Sequence, residues 1–268
     1  MEPLAYVQLM KERYQSIGFP VYQWTVNDDA PLVRLAKPLS KSAVSMLTSG
    51  GVSKKGLPGF NPDARNDFRV DAIGRETPSN AFNVNDNFYR HDSADRDINC
   101  IFAIDRLREL AESGEIGSVT RHFWSGFMGR IYKRNYLIEE AAPAFARRLR
   151  EDGTHVLVAV PACPLDHQTV GIVCRVVEES GIPTVCVSTA RDITAQVKPP
   201  RSLFVNFPMG NPFGAVGDAA TQRTILRQAL AMVAESTKGG ALVDAPLEWP
   251  EPFGCYLPEP DREYQLRK

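Results

Sequence analysis

The spacing of apolar and polar residues predicts short buried strands that alternate with amphipathic helices. The clearest unit combines an apolar run at 155–160, apolar positions at helical spacing over 169–179, and a second apolar run at 182–188. Gly181 marks the end of the helix before the second strand. Strand, helix and strand in this order predict a βαβ unit, which is the building block of parallel sheets.

The same alternation extends over most of the chain. Apolar runs predict further strands at 43–48 and 202–206, and the run 123–129 is either a strand or a tight loop. Helical spacing predicts further helices over 4–17, 104–113, 137–150 and 221–234. These elements predict an α/β fold, with a mainly parallel sheet and helices on both faces. A strand followed by a polar loop recurs at 43–51 and 155–167, so two similar halves are an open alternative.

The character of the sequence changes along the chain and predicts three parts. Residues 1–42 form a mixed N-terminal extension, residues 43–241 the α/β catalytic domain, and residues 242–268 a proline-rich C-terminal arm. Within the domain, residues 54–97 are polar and rich in turn-forming residues. Irregular stretches of this length are uncommon in compact domains and are usually functional, so we expect this excursion to contribute to function.

Composition and charge exclude several classes of function. The 31 basic and 32 acidic residues give a net charge of −1, whereas proteins that bind nucleic acid through its phosphates are basic. No apolar stretch approaches the roughly 20 residues of a membrane span, and the N-terminus lacks the pattern of a secretory signal. The 5 cysteines show no C-x-x-C spacing, which favours a reducing, cytoplasmic setting.

The strongest candidate for chemistry is Cys163, in the loop between the strand at 155–160 and the next helix. Ligands of parallel α/β sheets bind at this carboxyl edge. Pro164 suits the first helical position, which places Cys163 at the cap, where free N–H groups and the helix dipole favour a nucleophilic thiolate. Asp166 and His167 lie about one turn further on and are candidate catalytic groups. A buried, inert thiol is the alternative.

Two other loops follow predicted strands and should reach the same edge of the sheet. The first loop consists of Thr48, Ser49, Gly50 and Gly51. We expect its backbone amides to hold a substrate carboxylate, and a simple tight turn is the alternative. The second, 207–214, contains Met209 and Gly210, which we expect to bind substrate. Neither loop matches a dinucleotide-binding or phosphate-binding motif, so no cofactor is predicted in this chain.

His91 stands in a polar cluster with several carboxylates. The cluster HDSADRD runs from 91 to 97, and its spacing matches no zinc or calcium site, so no metal is predicted. A polar loop with side chain to backbone turns is the simplest interpretation. We retain His91 as a second candidate for proton transfer.

A set of motifs runs through about residues 43–235. They read TSGGV at 48–52, HDSADRDIN and IFAIDRLRELAESGEIG at 91–117, HFWSGFMG at 122–129, VPACPLDHQTVG at 160–171, GIPTVCVS at 181–188 and KPPRSLFVNFPMGNPFG at 198–214. In order and spacing they resemble the glycine/sarcosine/betaine reductase selenoprotein B family, which includes the D-proline reductase selenocysteine subunit. The chain looks like a cysteine-containing homologue.

This resemblance implies an α/β fold with a selenocysteine or cysteine at the position of Cys163. It further implies attack on an amine-bearing carbon and reductive C–N cleavage, assisted by a pyruvoyl group on a partner subunit. The chain departs from the family pattern at Asp166, where members commonly carry a second cysteine, so a local disulfide cannot form. An external thiol donor or another cysteine would then complete the cycle. No pyruvoyl-generating sequence is apparent in this chain.

These observations leave alternative hypotheses of function. The first is a thiol-dependent oxidoreductase in which Cys163 attacks a small amine- or carboxylate-bearing substrate, while His167 or His91 transfers protons. The second is chemistry of the aspartate/glutamate racemase or lyase type, although the first half offers only Thr48 and Ser49 where a second cysteine is needed. The third is a non-catalytic subunit of a larger reductase assembly. We expect a homo- or hetero-oligomer.

Overall fold

The fold is built on a mostly parallel β-sheet, seen in a computed structural model that describes residues 1–256. The strands, in chain order, are β1 (Ala43–Thr48), β2 (Val52–Lys54), β3 (Val70–Gly74), β4 (Phe82–Val84), β5 (Ser118–Val119), β6 (His122–Gly126), β7 (Val156–Val160), β8 (Thr184–Ser188), β9 (Arg201–Phe204) and β10 (Ala241–Asp244). Within the described residues, the main sheet has 8 strands in the order β10-β9-β8-β7-β1-β6-β3, and β5 also pairs with β1. A separate small sheet joins β2 to β4.

Pairing within the main sheet is parallel except at one edge. There, β3 runs antiparallel to β6. β1 and β7 are parallel neighbours, with Thr48 opposite Val160 in the register. The loops that follow these two strands therefore leave the sheet side by side, at its carboxyl edge.

Helices cover both faces of the sheet. They are α1 (Tyr6–Ser16), α2 (Asp92–Arg96), α3 (Ile104–Glu112), α4 (Arg134–Tyr136), α5 (Ala142–Glu151), α6 (Pro164–Glu179), α7 (Arg191–Val197) and α8 (Ala219–Glu235), with a π-helical turn at Leu137–Ala141 and 3₁₀ turns at Leu39–Lys41 and Ile98–Cys100. Helices α5, α6 and α7 pack in one layer, whereas α3 and α8 pack against each other in a second layer.

The central strands are buried on both faces, which explains their continuous apolar runs. Every residue of β7 and of β8 is buried. A small apolar group lies between α6 and these strands and consists of Ala159, Val170, Cys174 and Cys186. Most of the other buried apolar residues form one large continuous core.

Helix α6 is itself largely buried, because the N-terminal segment lies across it. The N–H of Thr25 donates to Gln168 Oε1 at 2.7 Å, and the N–H of Val33 donates to Glu178 Oε1 at 2.6 Å. Glu178 also pairs with Arg201 of β9 at 2.8 Å, and both side chains are fully buried. Two polar residues of α6 therefore fasten the first part of the chain to the sheet.

The α/β class with a mainly parallel sheet is confirmed. Residues 242–244, which the sequence assigned to the C-terminal arm, extend the sheet as part of β10, because their backbone pairs with β9. The division into three parts stays a prediction, as do the two similar halves. Residues 257–268 of the predicted arm lie outside the described residues.

Candidate active site

Cys163 lies at the carboxyl edge of the sheet, between β7 and α6. Its backbone is extended, with φ −101° and ψ 170°, and Pro164 occupies the first turn of α6, so Cys163 is the N-cap residue that the sequence predicted. The residue is 1% exposed, yet it lines a cavity of about 550 Å³ together with Pro164 and Leu165. Cys163 therefore borders this cavity although almost none of its surface is exposed.

Asp166, in the first turn of α6, holds the backbone around Cys163. The side chains of the two residues form a reciprocal capping box, in which each faces the backbone N–H of the other. Asp166 Oδ2 accepts a hydrogen bond from Cys163 N–H at 3.2 Å, and Oδ1 accepts one from Gly129 N–H at 3.0 Å. The buried carboxyl thereby ties α6 to the segment after β6.

The thiol of Cys163 is held in its neutral form. Burial raises its pKa well above the ordinary thiol value, and the charges of Asp166 and Asp86 raise it further. The backbone N–H of Asp166 lowers the pKa, but burial outweighs this effect of the helix start. The expectation of a thiol already ionised by the helix N-terminus is therefore wrong.

His167 is buried, and backbone groups engage both of its ring nitrogens. Nδ1 lies 2.8 Å from the carbonyl oxygen of Cys163, and Nε2 accepts a hydrogen bond from Thr189 N–H at 3.1 Å. Since Nε2 must be unprotonated to accept this bond, Nδ1 carries the proton and donates it to the carbonyl. Burial lowers the pKa of His167 to about 4. The ring is thus a neutral group that positions the backbone of Cys163.

Two residues of the excursion 54–97, Asp86 and Tyr89, interact electrostatically with Cys163, and neither was predicted from the sequence as a site residue. Asp86 is 4% exposed; its Oδ1 accepts from Phe88 N–H at 2.7 Å, and its buried Oδ2 has no hydrogen-bond partner in the described chain. Burial raises the pKa of Asp86 to about 7. Tyr89 donates its hydroxyl to the carbonyl of Gly50 at 2.8 Å, which anchors the excursion to the loop after β1.

The cavity that Cys163 lines has aromatic walls and a cationic character. Its rings come from Tyr14, Phe19, Tyr22, Phe88, Tyr132 and Tyr256, and its cations are Arg65, Arg130 and Arg134. Among the described residues, no aspartate or glutamate lines it. Arg130 lies 5.4 Å from the centroid of the Phe88 ring, and its buried Nε has no hydrogen-bond partner in residues 1–256. This unpaired donor and the surplus of positive charge suit an anionic group.

The turn after β1 is hydrogen-bonded to the loop that carries Cys163. Its residues do not line the cavity in the described chain. All four are buried: Thr48, Ser49, Gly50 and Gly51. The N–H of Gly50 donates to Thr48 Oγ1 at 3.2 Å, and Ser49 Oγ accepts from Ala162 N–H at 3.2 Å. The amide of Gly50 is therefore already engaged within the turn.

None of the remaining predicted site residues lines the cavity in the described chain, and two of them, Gly210 and His91, contact Tyr89. Met209 is buried. Gly210 has φ +90°, and a Cβ there would lie 2.7 Å from the Tyr89 ring, so the backbone requires glycine. His91 contacts the same ring, and its Nδ1 lies 2.7 Å from Asp95 Oδ2.

The walls of the cavity were not predicted from the sequence. They come from α1 and the residues after it, from the excursion 54–97, and from the segment after β6. The length of the polar excursion was the signal that could have pointed to Asp86 and Phe88. Arg130 and Arg134 carry no such signal, because arginine is an ordinary surface residue.

The other cysteines of the described chain are not among the residues that line the cavity. Cys174 of α6 packs against Cys186 of β8, and the hydrogen bond between their thiols raises the pKa of Cys174. Burial raises the pKa of Cys100 to about 12 and that of Cys255 to about 11. Within residues 1–256, no group of His, Cys, Asp or Glu is arranged to hold a metal ion. No helix of that part of the chain could cross a membrane.

Fold and site together define an α/β protein that presents a cysteine to a ligand-sized cavity at the carboxyl edge of its sheet. The chain is 31% identical, over 215 residues, to the D-proline reductase subunit gamma of Acetoanaerobium sticklandii, a match that covers 80% of this chain and 88% of that protein. The chain therefore belongs to the selenoprotein B family of D-proline, glycine and sarcosine reductase subunits.

Other relatives in this family are more distant and longer. The chain is 26% identical to the glycine reductase complex component B subunit gamma of Peptoclostridium acidaminophilum, over 72% of this chain and 45% of that protein. It is 24% identical to the sarcosine reductase complex component B subunit beta of the same organism, over 78% of this chain and 49% of that protein. The chain thus spans about half the length of these relatives. No family model and no solved structure matches it.

Proposed function

We propose that this chain is the thiol-bearing subunit of a reductase complex, and that Cys163 attacks the nitrogen-bearing carbon of a small amino-acid-like substrate. The observation that carries the proposal is the position of Cys163 at the N-cap of α6, in the wall of a cavity and within reach of the Asp166 carboxyl. Membership of the reductase family supports the same chemistry. The chain's relatives are named as reductase subunits and complex components.

The first step forms a thioether. Asp166, whose buried carboxyl has a raised pKa and contacts the Cys163 thiol, accepts the thiol proton. The sulfur forms a bond to the substrate carbon, and the C–N bond breaks with its electron pair remaining on nitrogen. The proton on Asp166 passes to the departing nitrogen, so the step neither gains nor loses a proton. Activation of the leaving nitrogen is assigned to a partner subunit, in line with the family resemblance.

The second step is a two-electron reduction by an external dithiol. A donor thiolate attacks the sulfur of Cys163, the S–C bond breaks, and the carbon takes a proton to give the reduced product. The resulting mixed disulfide is resolved by the second thiol of the donor, which regenerates the Cys163 thiol and leaves the donor oxidised. Asp166 stands where family members carry a second cysteine, so the proposal requires a donor from outside this loop.

We assign to Arg130 the role of binding a carboxylate group of the substrate. The buried Nε of this arginine has no hydrogen-bond partner in the described residues, and a carboxylate oxygen would satisfy it. Gly50 in the turn after β1 is less suited, because its N–H is already bonded to Thr48 Oγ1. The substrate thus lies with its acidic group toward the arginine and its nitrogen-bearing carbon toward Cys163.

The test is turnover by the complex isolated from the source organism with a tagged form of this chain. Depletion of D- and L-amino acids is followed with dithiothreitol as reductant, together with the mass of the tagged subunit. We expect a substrate adduct on wild-type Cys163 and loss of turnover in Cys163→Ala. The matched control, Cys255→Ala, should keep full turnover. A Cys163→Ser complex with undiminished turnover would overturn the proposal.

A second candidate function is a ligand-binding subunit without chemistry of its own. The burial of Cys163 and the raised pKa of its thiol favour it. In that case, Cys163→Ala would leave the turnover of the complex unchanged. The racemase or lyase hypothesis has less support. Thr48 and Ser49 occupy the loop after β1 where a second cysteine would be needed, and both are buried with their hydroxyl oxygens in hydrogen bonds.

A further inference from the structure

Asp86 is a buried carboxyl that the proposed steps leave unused. It stands in the irregular part of the excursion 54–97, directly after β4. One of its oxygens accepts the N–H of Phe88, whereas Oδ2 is shielded from solvent and has no hydrogen-bond partner in the described chain. An unpaired buried carboxylate oxygen is costly and calls for a physical explanation.

Hydrogen bonds of its neighbours hold Asp86 near the turn after β1, which in turn contacts the Cys163 loop. The N–H of Asn85 donates to the carbonyl of Gly51 at 3.0 Å, and the hydroxyl of Tyr89 donates to the carbonyl of Gly50 at 2.8 Å. The same turn accepts the N–H of Ala162 through Ser49 Oγ. Residues 85–89 are thus fastened to the turn that supports the cysteine.

The charge of Asp86 acts on both members of the Cys163–Asp166 couple. It raises the pKa of the Cys163 thiol and that of the Asp166 carboxyl. The other titratable groups that face Asp86 are His91, whose charge opposes the effect of burial, and Tyr89. Like charges held close in a buried space cannot all ionise, so a proton taken from one group must be held by another.

We propose that Asp86 is a positioning residue that sets the proton affinity of the Cys163–Asp166 couple. This inference rests on the proposed function of Cys163 as the attacking thiol. When Asp86 is ionised, it makes Asp166 a stronger base for the thiol proton. When Asp86 is protonated, it lowers that basicity and leaves the thiol easier to ionise. The excursion thereby acts on the chemistry at Cys163 without contributing an atom to the reacting bonds.

The test is the pH profile of alkylation of Cys163 by iodoacetamide in the full chain, read by mass spectrometry of the peptide that contains Cys163. Asp86→Asn keeps the shape and the oxygen that accepts from Phe88, but it removes the charge. We expect the midpoint of the profile to move about one pH unit or more toward acid, a tenfold change in the thiol ionisation constant. The wild-type profile should also show a shoulder near the Asp86 pKa of about 7.

Matched variants separate the charge from a general disturbance of the fold. Asp92→Asn removes an exposed carboxyl of the same segment, paired with Arg90 at 3.1 Å, and should leave the midpoint unchanged. Asp86→Glu retains the charge and should retain the wild-type shoulder. If Asp86→Asn folds and its midpoint is unshifted, the inference is overturned. If that variant does not fold, a wild-type profile that lacks the shoulder overturns the inference.

The alkylation profile needs no substrate, so it stands apart from the test of turnover. A shifted midpoint together with full turnover in Cys163→Ser would mean that Asp86 tunes the thiol of a protein that does not use it. An unshifted midpoint together with a substrate adduct on Cys163 would retain the proposed function and remove Asp86 from it.

Discussion

At the scale of single residues, the chemistry of Cys163 depends on a competition between the helix start and burial. A position at a helix N-terminus stabilises a nearby negative charge by about 0.3–1 kcal/mol at an exposed site. Burial can move a pKa by several units, each worth about 1.4 kcal/mol. Burial therefore has the larger effect on the pKa of Cys163, and the charges of Asp166 and Asp86 raise that pKa further. The sequence located the cap residue correctly but could not reveal how deeply the chain covers it.

His167 should make the stability of the protein depend on pH. Its pKa is lowered to about 4 in the folded protein, against an ordinary value of about 6.5. The unfolded chain therefore binds more protons between these values, and stability falls as pH decreases through this window. We expect His167 to cost about 2 kcal/mol of the free energy of unfolding between pH 7 and pH 5.

The measurement is urea unfolding at pH 7 and pH 5 for the wild type and His167→Gln. The difference between the two proteins isolates the histidine, because Asp86 and other groups contribute equally to both. The glutamine variant should be less stable at pH 7 but should show the weaker dependence on pH. Equal pH dependence in the two proteins would contradict a buried, neutral His167.

At the scale of elements, the apolar pattern predicted the centre of the fold well and its margins less well. The strand expected at 43–48 is β1 as observed, and the helix expected at 104–113 is α3 with one residue fewer. The antiparallel edge strand β3 and the last strand β10 were missed. Each is short and partly exposed, so pairing with a neighbouring strand, and not a local pattern, makes it a strand.

The buried pair between Glu178 of α6 and Arg201 of β9 should be essential to the packing of these elements. Both side chains are fully buried, so removal of one charge leaves the other without compensation. We expect Glu178→Gln to lower the free energy of unfolding by about 3–5 kcal/mol. The measurement is chemical denaturation at constant pH.

An exposed pair gives the matched control for that experiment. Arg227 and Glu115 lie 2.7 Å apart at the surface between α8 and the end of α3, and Arg227→Ala should cost less than about 1 kcal/mol. The double variant Glu178→Met with Arg201→Met should lose less than the sum of its single variants, because no charge remains unpaired. Similar losses for the buried and the exposed pair would argue against this account.

At the scale of the whole molecule, the cavity is assembled from parts that are distant in sequence. The segment after α1, the excursion 54–97 and the segment after β6 meet over the N-terminus of α6. None of these parts has a regular apolar pattern, so the sequence placed the thiol at the correct edge of the sheet but could not predict what surrounds it. Long-range hydrogen bonds, such as that from Thr25 to Gln168, decide this arrangement.

Gln168 should control how firmly the N-terminal wall of the cavity is held. Its Oε1 accepts from Thr25 N–H, and its Nε2 donates to the Tyr22 hydroxyl, both at 2.7 Å. We expect Gln168→Leu to speed cleavage by chymotrypsin after Tyr22 or Trp24, because one buried and one partly buried hydrogen bond are lost, at a cost of about 1–3 kcal/mol. The measurement is limited proteolysis followed by mass spectrometry.

The control for this experiment is Gln8→Leu, which removes an exposed hydrogen bond to Glu12 within α1. It should leave the rate of cleavage unchanged. If cleavage in Gln168→Leu proceeds at the wild-type rate, the wall does not depend on this side chain.

The Cys163 loop and the walls of the cavity come from different parts of the chain, which has a consequence for how such a protein diversifies. The sulfur is carried by the loop between β7 and α6, whereas the enclosing surfaces come from the N-terminal segment, from the excursion 54–97 and from the segment after β6. Recombination that exchanges the N-terminal segment alone would change which molecules are admitted, while β7, the Cys163 loop and α6 stay as they are. The surface that a ligand meets first and the residue that carries the sulfur thus lie in different parts of the chain.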